Sequence, residues 1–332
     1  MTDRLLEVED LRMYFPVRGG VLRRQVAQVF AVDGVNFTIG AGRTLGLVGE
    51  SGCGKTTVGR CVLRLYAPTG GRVRFQGENL RKMRSDQLRA VRRDMQMIFQ
   101  DPFESLNARH TVQEILEEPF IIHRLGDAAE RGRRVRRLLE RVGLPQSALM
   151  RFPHEFSGGQ RQRIGIARAV ALEPRLIVCD EPVSALDVSI QSQILNLLLE
   201  LQQQMGLSYL FIAHDLAVVK HISDDIAVMY LGRIVEFADA DVLYRTPRHP
   251  YTRALIAAIP VPDPGARRIV EVLRGDVPSP LNPPSGCHFR TRCPHAVERC
   301  RTEDPQLRPV PGGGRGRHVA ACHRLEDLGP TN

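Results

Sequence analysis

Over the first 245 positions of the 332-residue chain, apolar residues come in short runs closed by glycine, proline or a polar side chain. Residues 5–16 and 28–39 read as strands on either side of a loop that holds Gly19, Gly20, Arg23 and Arg24. Thr44 to Val48 reads as a buried strand, and from Thr57 to Leu65 the spacing turns helical. Gly70-Gly71 marks a turn before a strand at 72–76, and a polar helical stretch covers 85–91. Met95 to Gln100 reads as a buried strand ending on an amide, broken by Asp101-Pro102. Residues 111–150 are helical in period with Thr111 placed as a cap, and look like a helical insertion rather than part of a sheet. Strand and helix then alternate. A helix at 161–172 is followed by a strand at 176–181 and a helix at 189–204 stopped by Gly206. A strand at 208–213, a helix at 216–222 and a hairpin of 226–230 with 233–237 complete the series. The fold class this predicts is α/β.

From Thr246 the pattern changes. Prolines recur at 247, 250, 260, 262, 264, 278, 280, 283 and 284, interrupted by one helix at 251–258. This second, loop-rich unit has little apolar content to bury, and such units often need a staple.

Bulk composition adds limits. Hydrophobic residues make up 43% and charged residues 25%, an ordinary globular balance, so the chain has room for one large domain and a smaller one. No apolar run is long enough to cross a bilayer, and the N-terminus MTDRLLEVED lacks the apolar centre of a signal peptide. The expectation is a cytosolic protein able to dock on a membrane protein. A formal charge of +9 raises the question of a nucleic-acid or anionic-lipid partner. The densest basic run, Arg131 to Arg137, has Leu138, Leu139 and Val142 on its other helix face and no interleaved aromatics for bases to stack on. A solvated face is the favoured reading, with no nucleic-acid partner. The seven cysteines of a cytosolic chain do not read as disulfides, and Cys53, Cys61 and Cys179 sit in apolar or glycine-loop segments as small inert residues.

The chemistry starts at Gly49 to Thr57, GESGCGKTT. Gly49, Gly54, Lys55 and Thr56 stand at the fixed positions of G-x-x-x-x-G-K-[ST], with a strand before and a helix after, as a P-loop requires. The glycines let backbone N–H groups close around phosphate oxygens, and the helix N-terminus adds a positive dipole end. Lys55 is placed to reach the β- and γ-phosphates and Thr56 to give its hydroxyl to Mg²⁺. Further on, Phe156-Ser157-Gly158-Gly159-Gln160 runs straight into a helix that Ser157 can cap, with amides bared by two glycines; this is a second anion site. The strand at 176–181 closes on Asp180 and Glu181, whose side chains point to opposite sides. Asp180 suits a Mg²⁺ shell and Glu181 a water beside the γ-phosphate. Tyr14 and Phe15 end the first strand, where an aromatic serves equally to stack on a nucleobase or to pack a core.

P-loop, Gln100, Ser157-Gly158-Gly159-Gln160, Asp180-Glu181, Asp187 and His214 occur in that order. On those residues the chain resembles the ATP-binding subunits of ABC transporters, which carry Walker A, Q-loop, signature, Walker B, D-loop and H-loop in this sequence. The resemblance covers residues 5 to about 245, with Phe156 where many members have leucine. DEPVSALDVS at 180–189, HPYTRAL at 249–255 and PSPLNPPSGCHFRTRCP at 278–294 resemble the oligopeptide/dipeptide importer branch, nearest its F-type ATPase subunit.

The resemblance implies a P-loop NTPase with a RecA-like core, an antiparallel β subdomain, a helical subdomain at about 101–165 and a small loop-rich C-terminal domain. The ATPase domain would span 1–245 and the transporter C-terminal domain 246–332. It implies ATP hydrolysis coupled to peptide import, by a peripheral protein on the cytoplasmic face of the membrane. Two ATPases, usually this chain and a related second one, pair head to tail, so that Ser157 and Gly159 of one close on the γ-phosphate held by Lys55 of the other. Two membrane permeases and an extracytoplasmic peptide-binding protein complete the system, with the segment 100–107 and the helices after it receiving the permeases. In residues, the implied nucleotide contacts are Gly49, Ser51, Gly52, Gly54, Lys55, Thr56 and Thr57, then Ser157 to Gln160 and Asp187. Phe15 matches the base-stacking aromatic, with Tyr14 next. Mg²⁺ would be held by Thr56, Gln100 and Asp180, and the catalytic set is Glu181, His214 and Gln100.

Cys287, Cys293, Cys300 and Cys322 have the spacing C-x₅-C-x₆-C-x₂₁-C, which fits neither the usual zinc pattern nor the common ferredoxin ones. Four reduced cysteines in a loop and a metal staple are both open on spacing alone. The resembled branch holds a [4Fe-4S] cluster in this region, which makes a cluster the expectation and Zn²⁺ the runner-up.

The competing function is a soluble ABC-type ATPase acting on nucleic acid, which the net charge favours. Repair members insert long coiled coils or zinc modules and translation members carry two cassettes, whereas this chain has one cassette and a compact insertion. Import is therefore the stronger reading.

Overall fold

The computed structural model describes residues 4–21, 23–259, 273, 275–311 and 317–329. Pro260, Pro262 and Pro264 of the predicted proline-rich unit lie outside the described residues. The chain opens with strands β1 (Arg4–Gly19), β2 (Arg24–Gly40) and β3 (Thr44–Val48), helix α1 (Lys55–Val62), and strands β4 (Gly70–Phe75) and β5 (Glu78–Asn79). Next come α2 (Ser85–Val91), β6 (Met95–Ile98), α3 (Pro102–Ser105), α4 (Val112–Ile122), α5 (Ala128–Arg141), α6 (Gly158–Val170), β7 (Leu176–Asp180), α7 (Val188–Met205) and β8 (Ser208–Ala213). The remainder is α8 (Leu216–Ile222), β9 (Asp225–Tyr230), β10 (Arg233–Asp239), α9 (Ala240–Arg245), α10 (Pro250–Ala257), α11 (Arg299–Thr302), β11 (Arg308–Pro309) and β12 (Val319–Ala320). Two compact units emerge, one from Ile39–Thr44 and Lys82–Ile212, the other from Leu5–Thr38, Leu45–Arg81 and Ala213–Asn332.

In the first unit, β6, β7 and β8 run parallel, with Met95 opposite Leu176 and Leu176 opposite Ser208. Every residue of β7 and β8 is buried, which is why both read as unbroken apolar runs. The predicted helical stretch at 111–150 resolves into α4, α5 and a 3₁₀ turn at Gln146–Ala148. Thr111 caps α4 as expected: its Oγ1 accepts from Glu114 N at 3.3 Å and Glu114 Oε2 accepts from Thr111 N at 2.7 Å. Val135, Leu138 and Leu139 of α5 are buried, while Arg131 Nε bonds Glu117 of α4 at 2.7 Å. β6 stops at Ile98, two residues short of the predicted end at Gln100, and Asp101-Pro102 opens a turn of helix. Asp101 Oδ1 accepts from Phe103 N at 2.6 Å, and Pro102 sits in the first turn, where its missing N–H costs nothing.

The second unit holds an antiparallel sheet in the order β2-β1-β4-β5 and a set of strands in the order β11-β12-β10-β9-β3. β3 and β9 are parallel, with Leu45 opposite Asp225, and β9, β10 and β12 are antiparallel. The β9–β10 hairpin turns on Leu231 and Gly232, both at positive φ (42° and 81°), as its two-residue loop demands. β1 and β2 extend well into the stretch read as a loop, to Gly19 and from Arg24.

The C-terminal part of this unit is better packed than its composition suggests. Tyr251 and Phe289 are buried against Tyr230, with ring centroids 4.8 Å (Tyr230–Tyr251) and 5.2 Å (Tyr230–Phe289) apart. β12 adds to β10, placing Ala320 opposite Glu236. The Glu236 carboxylate is fully buried and satisfied three times: by His318 Nε2 at 2.7 Å and by the backbone N–H groups of Arg248 and His249, each at 2.8 Å.

Candidate active site

The glycine loop after β3 has no room for a side chain at Gly49 or Gly54. A Cβ on Gly49 would lie 2.1 Å from the Met229 carbonyl oxygen, and one on Gly54 would lie 2.0 Å from the Ala31 oxygen, at a φ of +106°. Lys55 opens α1 and is buried, with Nζ donating to the carbonyls of Gly49 at 2.8 Å and Glu50 at 3.0 Å. The ammonium is thus held over the loop it belongs to. Gly52 takes a φ of +78° with open space around it, and Ser51 beside it is exposed. Thr56 and Thr57 follow on the first turn of α1, half-buried. Cys53 is a buried thiol pushed up by desolvation, an inert position as predicted.

Asp180 ends β7 and is buried, while Glu181 follows it with a φ of +45°, a left-handed conformation that a non-glycine residue adopts at a cost. The Glu181 N–H donates to Ile212 O of β8 at 2.9 Å, which fixes that turn. Gln100, exposed just past β6, donates from Nε2 to Glu181 Oε2 at 3.0 Å. Two motif residues 81 positions apart are therefore joined through the parallel strands that carry them.

Ser157 caps α6 in the reciprocal manner: its Oγ accepts from Gln160 N at 3.4 Å while Gln160 Oε1 accepts from Ser157 N at 3.1 Å. Gly158 and Gly159 form the first turn with bare amides, and a Cβ on Gly159 would lie 2.6 Å from Ile190 Cγ2, so the second glycine also has a packing reason. Phe156 is buried beneath the Arg151 guanidinium, 4.3 Å from its ring centroid. Asp187 is the exposed N-cap of α7, yet its carboxylate makes no capping bond. His214 directly follows β8 and is exposed. Of the two candidate stacking aromatics, Tyr14 packs edge-on to Phe30 and donates its hydroxyl to Asp33, and burial with that bond pushes its pKa up to about 12. Phe15 is half-buried and meets Tyr66 edge-on at 5.6 Å.

The expectation of a [4Fe-4S] cluster or Zn²⁺ at Cys287, Cys293, Cys300 and Cys322 is corrected. Among the described residues, no group of three or more His, Cys, Asp or Glu side chains is placed to hold a metal ion. Burial pushes Cys287 up to about 11 and Cys293 to about 12, and raises Cys322 as well. Cys322 packs instead on the apolar cluster of Val310, Ala320 and Leu325. The unit's cohesion comes from that cluster, the Tyr230–Tyr251–Phe289 rings and the Glu236 network, none of which carries a local sequence signal.

Sequence reading also passed over Glu50. Its carboxylate is gripped by Arg292, 242 residues away, and a pairing at that separation leaves no spacing pattern to find.

Comparison with known proteins gives a consistent picture. Residues 32–184 match the family described as ABC transporter, and residues 235–300 the family described as oligopeptide/dipeptide transporter, C-terminal region. The chain is 51% identical to the oligopeptide transport ATP-binding protein AppF of Bacillus subtilis (strain 168), over 97% of each chain. Among solved structures it resembles the ATP-binding cassette MJ0796, captured as a dimer in a post-hydrolysis state bound to ADP and Pi, with 27% identity and a TM-score of 0.63 over 71% of this chain and 98% of that one. It also resembles cbiO1 from Clostridium perfringens, part of the ABC transporter complex cbiONQ, with 25% identity and a TM-score of 0.63 over 73% of this chain and 91% of that one.

Proposed function

The chain belongs to the ABC transporter ATP-binding subunits of the oligopeptide/dipeptide importer family, and we propose that it hydrolyses ATP to power peptide uptake as part of a complex with membrane permeases. What carries this reading is that the similarity to AppF runs through both the cassette and the C-terminal region, 97% of each chain. No helix among the described residues is long and apolar enough to cross a membrane, so the translocation path belongs to other subunits.

The residues divide the work as follows. Lys55 and the amides of the glycine loop bind the β- and γ-phosphates. Phe15, or Tyr14 beside it, stacks on the base. Thr56, Gln100 and Asp180 offer a hydroxyl, an amide oxygen and a carboxylate, an all-oxygen donor set suited to Mg²⁺. Bound there, Mg²⁺ neutralises charge on the phosphate oxygens. Glu181 takes the proton of the attacking water or orients it, with Gln100 holding its carboxylate. His214 at the end of β8 completes the γ-phosphate contacts.

The bare amides at the start of α6 and the uncommitted Asp187 carboxylate serve a second ATPase subunit. We carry the dimeric arrangement of MJ0796 over to this chain, with Ser157 and Gly159 facing the partner's nucleotide. Exposed Phe99, Phe103, Ile121, Ile122, Met150 and Phe152 supply an apolar seat for the permeases around α3 and α4. The ATPase domain is assigned to 1–245, with the helical subdomain at about 101–165, and the C-terminal domain to 246–332.

The test is reconstitution of the complex in proteoliposomes with its permeases, ATPase partner and extracytoplasmic binding protein. The expected result is ATP hydrolysis stimulated by the peptide-loaded binding protein. Hydrolysis indifferent to peptide, with no peptide accumulating, contradicts the proposal.

A further inference from the structure

Glu50, the first variable position of the glycine loop, is held at each of its polar groups. Its N–H donates to the Tyr251 hydroxyl at 2.9 Å. Its carbonyl accepts from Lys55 Nζ at 3.0 Å. Its carboxylate takes two bonds from the Arg292 guanidinium, Nη1 to Oε2 at 2.6 Å and Nη2 to Oε1 at 3.0 Å. Two of these three partners come from the C-terminal region. The Arg292 side chain is 7% exposed and that of Glu50 28%.

Arg292 is itself firmly seated. Its N–H donates to Phe289 O at 3.0 Å, and its guanidinium lies 5.9 Å from the Tyr230 ring centroid. Tyr230 stacks edge-on to both Tyr251 and Phe289. The carbonyl of the neighbouring Met229 is the atom that leaves no room for a Cβ at Gly49. The aromatic cluster that presents Arg292 and Tyr251 thus continues directly into the wall of the glycine loop.

We propose that Arg292 is a positioning residue for the nucleotide site, holding and neutralising Glu50 so that the glycine loop accepts the phosphates of ATP. The proposal rests on the ATP-binding reading of that loop. Two physical effects combine. A paired, doubly hydrogen-bonded carboxylate fixes the loop's first turn, and a planar guanidinium does this where an ammonium offers only a point charge. The guanidinium also cancels a negative charge that would otherwise stand beside a polyanion in a partly desolvated site. The C-terminal region thereby contributes to nucleotide affinity without touching the nucleotide.

The experiment is MgATP titration on the purified full chain and steady-state hydrolysis on its complex with the partner ATPase, whose own site is disabled, comparing wild type with Arg292→Met, Arg292→Lys and Arg292→Met/Glu50→Gln. Arg292→Met is expected to raise Kd and KM about tenfold, ~1.4 kcal/mol, while kcat changes far less. Arg292→Lys falls between it and wild type. The double variant recovers most of the lost affinity, because the stranded carboxylate is gone. A merely structural brace predicts no such recovery, so a double variant as weak as Arg292→Met overturns the proposal, as does an Arg292→Met protein with wild-type KM. If Arg292→Met does not fold, the Arg292→Lys protein decides: a raised KM supports the proposal and an unchanged KM overturns it. A wild-type chain without saturable ATP binding defeats the ATP-binding reading itself, and the proposal with it.

Discussion

Gln100 Nε2 donates to Glu181 Oε2 across 3.0 Å, joining a residue two positions past β6 to the carboxylate that follows β7. The parallel register of β6 and β7, Ile98 opposite Cys179, brings the two motif residues to the same end of the strands. A carboxylate held this way, on a backbone at a φ of +45°, has its position fixed before any water arrives.

Replacing Glu181 with Gln is therefore expected to keep MgATP binding and to lower turnover by roughly 10²-fold or more, the size of a general-base contribution. The check is steady-state phosphate release with the partner ATPase's own site disabled. Turnover within a few-fold of wild type contradicts the role.

The glycine loop makes a second prediction. Ala at Gly54 has to displace the Ala31 carbonyl from a 2.0 Å approach and hold a φ of +106°. Gly54→Ala should weaken MgATP binding by roughly tenfold or more, as should Lys55→Ala through loss of the phosphate charge partner. Isothermal titration at fixed Mg²⁺ measures both.

His249 supplies a pH prediction. Burial holds its pKa down at about 4 against an ordinary 6.5, with Glu236 pulling the other way and Arg253 adding to the depression. As pH falls below 6.5 the unfolded chain takes up a proton that the folded chain refuses, so the stability contribution is complete above that value and lost on the way down to about 4. Between pH 7 and pH 5 the loss amounts to about 2 kcal/mol. His249 Nδ1 accepts from Tyr251 N at 3.1 Å as the cap of α10, a role that Asn can take over. His249→Asn should fold and lose this part of the pH dependence of urea unfolding; an unchanged dependence rules the site out.

The buried Glu236–His318 pair is the staple of the C-terminal strands. Removing its histidine with His318→Ala leaves a buried carboxylate short of a partner and should destabilise the protein by roughly 3 kcal/mol, seen as a lower denaturation midpoint. A midpoint shift near zero contradicts that assignment.

Much of this was legible in the sequence because it is local. The strand–glycine loop–helix of the P-loop, the Ser157 cap, the Thr111 cap and the β9–β10 hairpin each follow from residues within a few positions of one another. The C-terminal region was misjudged for the opposite reason. Its cohesion comes from Glu236 with His318, Arg292 with Glu50 and Phe289 with Tyr230, pairs 82, 242 and 59 positions apart. With none of those visible, a proline-rich stretch with four cysteines read as a core-poor unit in need of a staple. The short strands β11 and β12 were also missed, because two-residue strands carry no periodicity to detect.

The most direct measurement is uptake of a labelled peptide by cells that lack this chain, complemented with wild type or with the Glu181→Gln variant at equal expression. Uptake should vanish in the deletion, return with wild type and stay absent with Glu181→Gln. Full uptake in the deletion strain, or restoration by Glu181→Gln, would contradict the claim that ATP hydrolysis by this chain drives peptide import.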